Sequence, residues 1–267
     1  MQVILIAFLI SVGIILCLPQ EGSPPGLRIV NGTNASVNSR PYHALISGKS
    51  DLYNGAWACQ GVLISNNYIL TSAMCAWDAD RINITLGLNS VANQTGVIYY
   101  QTTGDSVTFH PRYSKGEVYD NLALIQLPQP VTPSDTVRSV QLPDRSQANN
   151  LFENVTGVVS GWGNTDSDLY NSTPAVLKES QQRVMNWLEC EDTLWYFIDE
   201  NLICTMGIDG VPCISDHGAP LIINNQLIGV LSEASNNCTI PVPSVFTKIP
   251  MYLDWLAQNT DVNVTAL

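Results

Sequence analysis

The sequence predicts an all-β protein built as a barrel or a sandwich, and three observations carry that prediction. Short runs rich in Val, Ile, Leu and Thr recur along the chain: ACQGVLIS (58–65), YILTSA (68–73), INITLGL (82–88), NLALIQL (121–127), GVVSGWG (157–163), QLIGVLS (226–232) and SVFTKI (244–249). Clusters of Asn, Gly, Pro, Ser and Asp separate them, as turns separate short strands. Helical periodicity is confined to few places. PMYLDWLAQN sets Tyr252, Trp255 and Leu256 at i, i+3 and i+4 behind Pro250, and a second helical turn is expected near VMNWLECEDT (184–193).

The first segment, VILIAFLISVGIILCL (3–18), is apolar, uncharged and shorter than the ~20 residues a membrane-spanning helix needs. It is read as a secretory signal peptide (1–18), cut at about residues 17–22, which places the protein outside the cell. No later segment is long and apolar enough to span a bilayer. The ~245 residues that follow fit one large all-β domain or two small ones. GSPPGLR (22–28) is an exposed lead, and the polar, Pro-bearing stretch 128–150 reads as the connection between two halves. The net charge of −12 argues against nucleic acid and anionic membranes as partners.

Cys17 leaves with the signal, so six cysteines remain: Cys59, Cys75, Cys190, Cys204, Cys213 and Cys238. An even count in a secreted chain implies three disulfides, with spacing alone leaving the pairing open. Eight N-x-S/T sequons, at Asn31, Asn34, Asn83, Asn93, Asn154, Asn171, Asn237 and Asn263, suggest a glycoprotein. Asn237 is the least suited, because Cys238 is the middle residue of its sequon. The three histidines, His43, His110 and His217, lie apart without ligand spacing, so neither a metal nor another cofactor is expected.

Six motifs then fall in order: RIVNG (28–32), LTSAMC (70–75), FHPRYSKGEVYDNLALIQL (109–127), VVSGWG (158–163), CISDHGAP (213–220) and VFTKIPMYLDWL (245–256). Together they resemble the trypsin-like serine peptidases over residues 29 to about 258. The resemblance implies two six-stranded antiparallel β-barrels, about 29–135 and 136–250, a C-terminal helix at about 250–258, a short propeptide (19–28), a tail (259–267), and a cleft between the barrels. It also implies the pairs Cys59–Cys75, Cys190–Cys204 and Cys213–Cys238.

Peptidases of this family use a serine nucleophile, a histidine base and a buried aspartate that orients the base. By the resemblance those three places are held here by Met74, Asn121 and His217. A thioether cannot take up the nucleophile's proton, an amide carries no charge to stabilise an imidazolium, and an imidazole is not the serine. Asp120 adjoins Asn121, but neighbouring strand residues point to opposite faces. The binding apparatus departs as well. Ser215 stands where the oxyanion loop normally has Gly, Val211 lies at the floor of the specificity pocket, and the substrate-pairing strand reads Ser232-Glu233-Ala234. Ala234 and Ser244 narrow places that are commonly Gly.

Arg28 and Ile29 retain the form of the activation site, and Asp216 retains the place of the carboxylate that pairs with the freed α-amino group. The expectation is therefore a secreted, non-catalytic serine protease homologue, monomeric, that binds an extracellular protein. That partner is an active protease, its substrate or its inhibitor, in a body-fluid or reproductive network, and the homologue acts as regulator, adaptor or decoy. The competing expectation is a secreted endopeptidase with an unconventional site, in which Ser215 and His217 pair as nucleophile and base.

Overall fold

Residues 32–52, 55–163, 175–235, 240 and 242–264 are described by the computed structural model of the chain. Two antiparallel sheets of seven strands each account for most of it. In chain order the strands are β1 (Thr33–Asn34), β2 (His43–Ser50), β3 (Gly55–Leu63), β4 (Tyr68–Thr71), β5 (Arg81–Leu86), β6 (Ile98–Thr102), β7 (Val107–Phe109), β8 (Ala123–Gln126), β9 (Thr156–Gly161), β10 (Lys178–Val184), β11 (Leu202–Gly207), β12 (Pro220–Ile223), β13 (Gln226–Glu233) and β14 (Ser244–Lys248). Three α-helices accompany them: a single turn, α1 (Ala73–Ala76), then α2 (Trp187–Leu194) and α3 (Leu253–Asn259).

The first sheet runs β6-β5-β2-β3-β4-β8-β7. Its two end strands, β6 and β7, are consecutive in the chain and separated by the 3-10 turn Gly104–Ser106, so they act as one broken strand and leave six around the sheet. The second runs β1-β10-β11-β14-β13-β12-β9, and β9 also pairs with β10, closing six strands into a ring with β1 added outside. The fold is thus the all-β, two-barrel, trypsin-like architecture with a short C-terminal helix. One boundary differs from the sequence reading. Thr33 and Asn34 pair with Glu179 and Lys178 of β10, so the start of the chain belongs to the second barrel and not the first. The physical reason is local: Ala35 packs with Trp162 and Leu177 of that barrel, and its N–H donates to the Leu177 carbonyl (2.8 Å).

Strand alternation builds each core. In β5 Ile82, Ile84 and Leu86 are fully buried while Arg81 and Asn83 face out, the period of two expected of a strand with one dry face. They join Ile46, Leu63, Ile69 and Ile125 inside the first barrel. Val159, Ile203, Leu221, Ile228, Leu231 and Phe246 fill the second. A third cluster joins the two halves: Val62, Leu70, Leu122 and Leu124 of the first meet Leu227, Val230, Ile249 and the α3 residues Leu253 and Leu256. Tyr252, at the N-cap of α3, and Leu256 are buried there, as the spacing behind Pro250 predicts.

Disulfides link Cys59 to Cys75 and Cys190 to Cys204, with Cα separations of 5.9 and 6.3 Å. Cys213 is disulfide-bonded too, and Cys238, the partner implied for it, lies outside the described residues. Five sequon asparagines, Asn34, Asn83, Asn93, Asn154 and Asn263, are described, and all five are exposed. Asn31, Asn171 and Asn237 lie outside the described residues, as do Arg28 and Ile29. Among the described residues no helix is long and apolar enough to cross a membrane.

Candidate functional site

Three chain segments converge where the barrels meet. Met74 sits on α1, directly after β4, and is 38% exposed. Asn121 precedes β8 and is 2% exposed. His217 closes the 3-10 turn Ile214–Asp216 and is 7% exposed. Asn121 and His217 both bond to Ser232 near the end of β13, and Met74 is joined to them through Asn121. Asn121 Oδ1 accepts from the Ser72 hydroxyl (2.9 Å) and from the Met74 backbone N–H (3.1 Å). Its Nδ2 donates to Ser232 Oγ (2.9 Å), and that hydroxyl in turn donates to the Val118 carbonyl (2.8 Å). The His217 ring donates to the Ser232 backbone carbonyl. The residues that the resemblance places at the triad positions are therefore brought together, with an amide where a carboxylate would stand.

The amide suits its surroundings. Two donors fix its oxygen, and its nitrogen donates to Ser232 Oγ and, at 3.5 Å, to the Ser232 carbonyl, so all of its polar atoms are satisfied without charge. His217 is held differently. Burial pushes its pKa down to about 4, the bond to Ser232 only partly opposing this. It is neutral at physiological pH, and its Nδ1 has no hydrogen-bond partner. Ser215 therefore gives it no proton, and its other neighbour in sequence, Asp216, is turned away.

Asp216 is fully buried. Its Oδ1 accepts from the Gly163 N–H (2.7 Å) and its Oδ2 from the Cys213 N–H (3.0 Å). The two glycines of SGWG make room for it: a Cβ on Gly161 would stand 2.1 Å from Oδ1, and one on Gly163 2.3 Å from Oδ2. Among the described residues no cation faces this carboxylate. Burial accordingly raises its pKa from 3.8 to about 6, with the two backbone donors acting in the opposite sense. On the same barrel Gly32 lies against Gly210.

Sequence reasoning missed what holds this loop. Gln60, fully buried on β3, donates its backbone N–H to the His217 carbonyl (2.8 Å) and its side-chain Nε2 to the Ser215 carbonyl (3.1 Å). Its Oε1 meets His43 Nε2 (2.9 Å), and His43 Nδ1 meets Ser160 Oγ (3.1 Å). With the amide oxygen as acceptor, the His43 proton belongs on Nε2 and the serine hydroxyl donates to Nδ1. Burial keeps His43 neutral, its pKa lowered to about 4. Gly218 completes the junction at φ +83°, where a Cβ would stand 2.0 Å from the Gln60 carbonyl oxygen.

Asp120 bonds to other partners than those of Asn121, though not because the two alternate along a strand. It lies before β8 in a left-handed conformation (φ 50°), not within a strand. Its Oδ1 accepts from Arg112 (2.8 Å) and from the Tyr252 hydroxyl (2.9 Å), beside His110 at 3.4 Å.

Around the specificity pocket that the resemblance implies, Val211 is half-buried, Ala234 is 9% exposed, and Ser244 is buried with an unpartnered hydroxyl. None offers a carboxylate to a basic side chain. Glu233 faces out and accepts from the Tyr196 hydroxyl (2.8 Å), whose pKa is raised by burial and by that carboxylate. Among the described residues no group of three or more His, Cys, Asp or Glu is placed to hold a metal ion.

Comparison with known proteins agrees with this geometry. The family model named Trypsin matches residues 29–256. A chymotrypsin from Phaedon cochleariae is 30% identical over 238 residues, which is 89% of this chain and 84% of the relative. A collagenase from Hypoderma lineatum is 31% identical over 240 residues, 88% of each chain. The solved structure of HL collagenase superimposes with a TM-score of 0.76 at 30% identity, covering 87% of this chain and 99% of the other.

Proposed function

The chain belongs to the trypsin family of serine peptidases, and within it we propose a role in binding that replaces the family's reaction. On this reading the protein is a secreted, catalytically inactive homologue. It engages an extracellular protein, namely an active protease, its substrate or its inhibitor, as regulator, adaptor or decoy. The observation that carries the reading is the constellation at Ser232: Met74, Asn121 and His217 stand where nucleophilic chemistry needs base, acid and nucleophile. Loss of one triad member costs orders of magnitude in rate, and here all three roles are vacant. The neutral, half-satisfied His217 supports the same conclusion, because it neither contacts Ser215 through Nδ1 nor meets a carboxylate. Secretion is supported by the apolar leader and by disulfides, which persist in oxidising compartments.

Asp216 supports a second part of the proposal. A fully buried carboxylate without a cation is costly, and the amine freed by cleavage after Arg28 would supply one. Cleavage thereby switches the 213–220 loop and the binding surface it forms. The test of the reading is direct. Purified protein, intact and cut after Arg28, is incubated with peptide and ester substrates and with a fluorophosphonate probe. Hydrolysis at background and no labelling are expected, and His217→Ser alone leaves both unchanged, because Met74 supplies no base. Stoichiometric labelling at Ser215 overturns the proposal in favour of a rearranged hydrolase.

A further inference from the structure

The flank of the second barrel carries a groove of about 500 Å³ that takes no part in the cleft. It lies between the loop before β9, the start of α2, the segment 197–201 and β11. Leu151, Trp187 and Phe197 line it, and they are 57%, 44% and 64% exposed. Glu153, Asp199 and Glu200 stand among them. Among the described residues none of these three carboxylates is in a salt bridge; Glu153 accepts from Asn186 and Asp199 from Asn201. The cation in the wall, Lys248, is 3% exposed, and its Nζ donates to the Ala148 carbonyl (2.7 Å), so it is turned into the protein. The groove thus combines three uncovered apolar side chains with three carboxylates outside any salt bridge, of which Glu200 lies in the field of the inward-turned Lys248.

A backbone feature marks the same place. Trp195 ends α2 in the left-handed conformation (φ 64°) and is 91% exposed. That cap position favours glycine, and a bulky residue there is strained. Folding gains little from an indole that stays in water, so strain and exposure together point to a side chain kept for contact. Two residues on, Phe197 enters the groove, its carbonyl accepting from the Tyr119 hydroxyl (2.6 Å). The residue between them, Tyr196, is bonded to Glu233. The segment 195–197 therefore connects the rim of the degenerate cleft to the groove.

We propose that this groove docks a partner protein through a segment in which Lys or Arg flanks a Leu- or Phe-sized anchor. The charge selects the partner. Bringing a further carboxylate to Glu153, Asp199 and Glu200 would be repulsive, whereas an incoming cation meets three carboxylates against the single, inward-turned Lys248. The volume accommodates one or two large apolar side chains, and Trp187 and Phe197 are aromatic residues of the kind that dominate binding energy. The inference is independent of whether the cleft is catalytic.

The experiment uses the full, isotope-labelled protein and three synthetic peptides: acetyl-Lys-Leu-Phe-Arg-amide, its Glu-Leu-Phe-Glu counterpart and the neutral Gln-Leu-Phe-Gln form. Expected is a saturable shift of the Trp187 indole and of the 197–201 amides with the cationic peptide, weakening as salt rises, and none with the acidic one. Trp187→Ala and Glu200→Lys, both at solvent-facing positions, each weaken binding by about tenfold, a typical hot-spot loss, while leaving the melting temperature within about 2 °C. Equal binding of the acidic peptide, unchanged affinity in Trp187→Ala, shifts confined to the cleft around Val211 and Glu233, or concentration-dependent self-association that covers Trp187 overturns the proposal. Fluorophosphonate-treated protein binds the cationic peptide equally well, so failure of the inactive-homologue reading would leave this result standing.

Discussion

Replacing Asp216 by asparagine tests the central electrostatic claim, because the two side chains differ chiefly in charge. The carboxyl is buried with no cation facing it among the described residues, and its pKa is raised from 3.8 to about 6. A raised carboxyl contributes stability that is fully present below the unfolded value of 3.8 and is lost as pH rises through 6. At ~1.36 kcal/mol per pKa unit, the loss on going from pH 3.5 to 7 amounts to about 3 kcal/mol. The asparagine side chain cannot match both backbone donors, since its amide nitrogen faces either the Gly163 or the Cys213 N–H. That mismatch adds an offset of ~1–3 kcal/mol that does not vary with pH. The informative quantity is therefore the difference in unfolding free energy between Asp216→Asn and wild type, measured by urea titration with tryptophan fluorescence from pH 3.5 to 7.5. Every other titration cancels in that difference. It should move by about 3 kcal/mol in favour of the variant as pH rises. A difference that stays flat would refute the argument. After cleavage at Arg28 the sign reverses: the Ile29 amine needs the charge, and Asp216→Asn should then lose ~3–5 kcal/mol at pH 7.

The buried histidines make the opposite contribution. His43 and His217, both with pKa lowered to about 4, add stability that is fully present above ~6.5 and is lost as pH falls through 4. His217→Leu should remove part of that acid slope in a urea titration, and an unchanged slope would contradict its burial. Gln60→Leu orphans the Ser215 carbonyl and the His43 Nε2–H, at ~1–3 kcal/mol for each buried group. Hydrogen exchange should rise over 213–220 in that variant, and equal protection would mean that Gln60 does not hold the loop. Peptide mapping without reduction should recover Cys213–Cys238, and a different partner for Cys213 would displace the loop from the position argued above.

What was legible in the sequence follows from how each feature is encoded. The apolar runs became strands because a dry face repeats every second residue, as Ile82, Ile84 and Leu86 show. β10, KESQQRV, escaped that logic. Its inward residues Lys178, Ser180 and Gln182 are polar: Lys178 bonds Asn34, and Gln182 bonds Ser180 beside it and Gly210 and Thr205 from elsewhere in the chain. The triad positions could be named because each lies inside a local motif. The chain from Ser160 through His43 and Gln60 to Ser215 could not, because its links span 117, 17 and 155 residues. No local pattern marks a glutamine on a buried strand as the anchor of a loop on the other barrel.

That distinction bears on how the site is held. Asn121 accepts from the Met74 N–H and meets Ser232. The amide is a near-isostere of a carboxylate and holds this hydrogen-bond frame without charge. Gln60 is the more demanding residue, because a long side chain must be fully buried under the loop and have both ends of its amide paired. A buried amide is retained without cost only while every partner stays in place. The loop is thus tied to His43 and Ser160 by hydrogen bonds, with Ile214 exposed and Ser215 half-buried at its edge. On the binding reading, an edge held in this way is suited to recognition. If it is, Gln60→Leu should weaken partner binding in the cleft while leaving peptide binding in the flank groove unchanged. Equal loss at both surfaces would mean that the substitution had merely destabilised the second barrel.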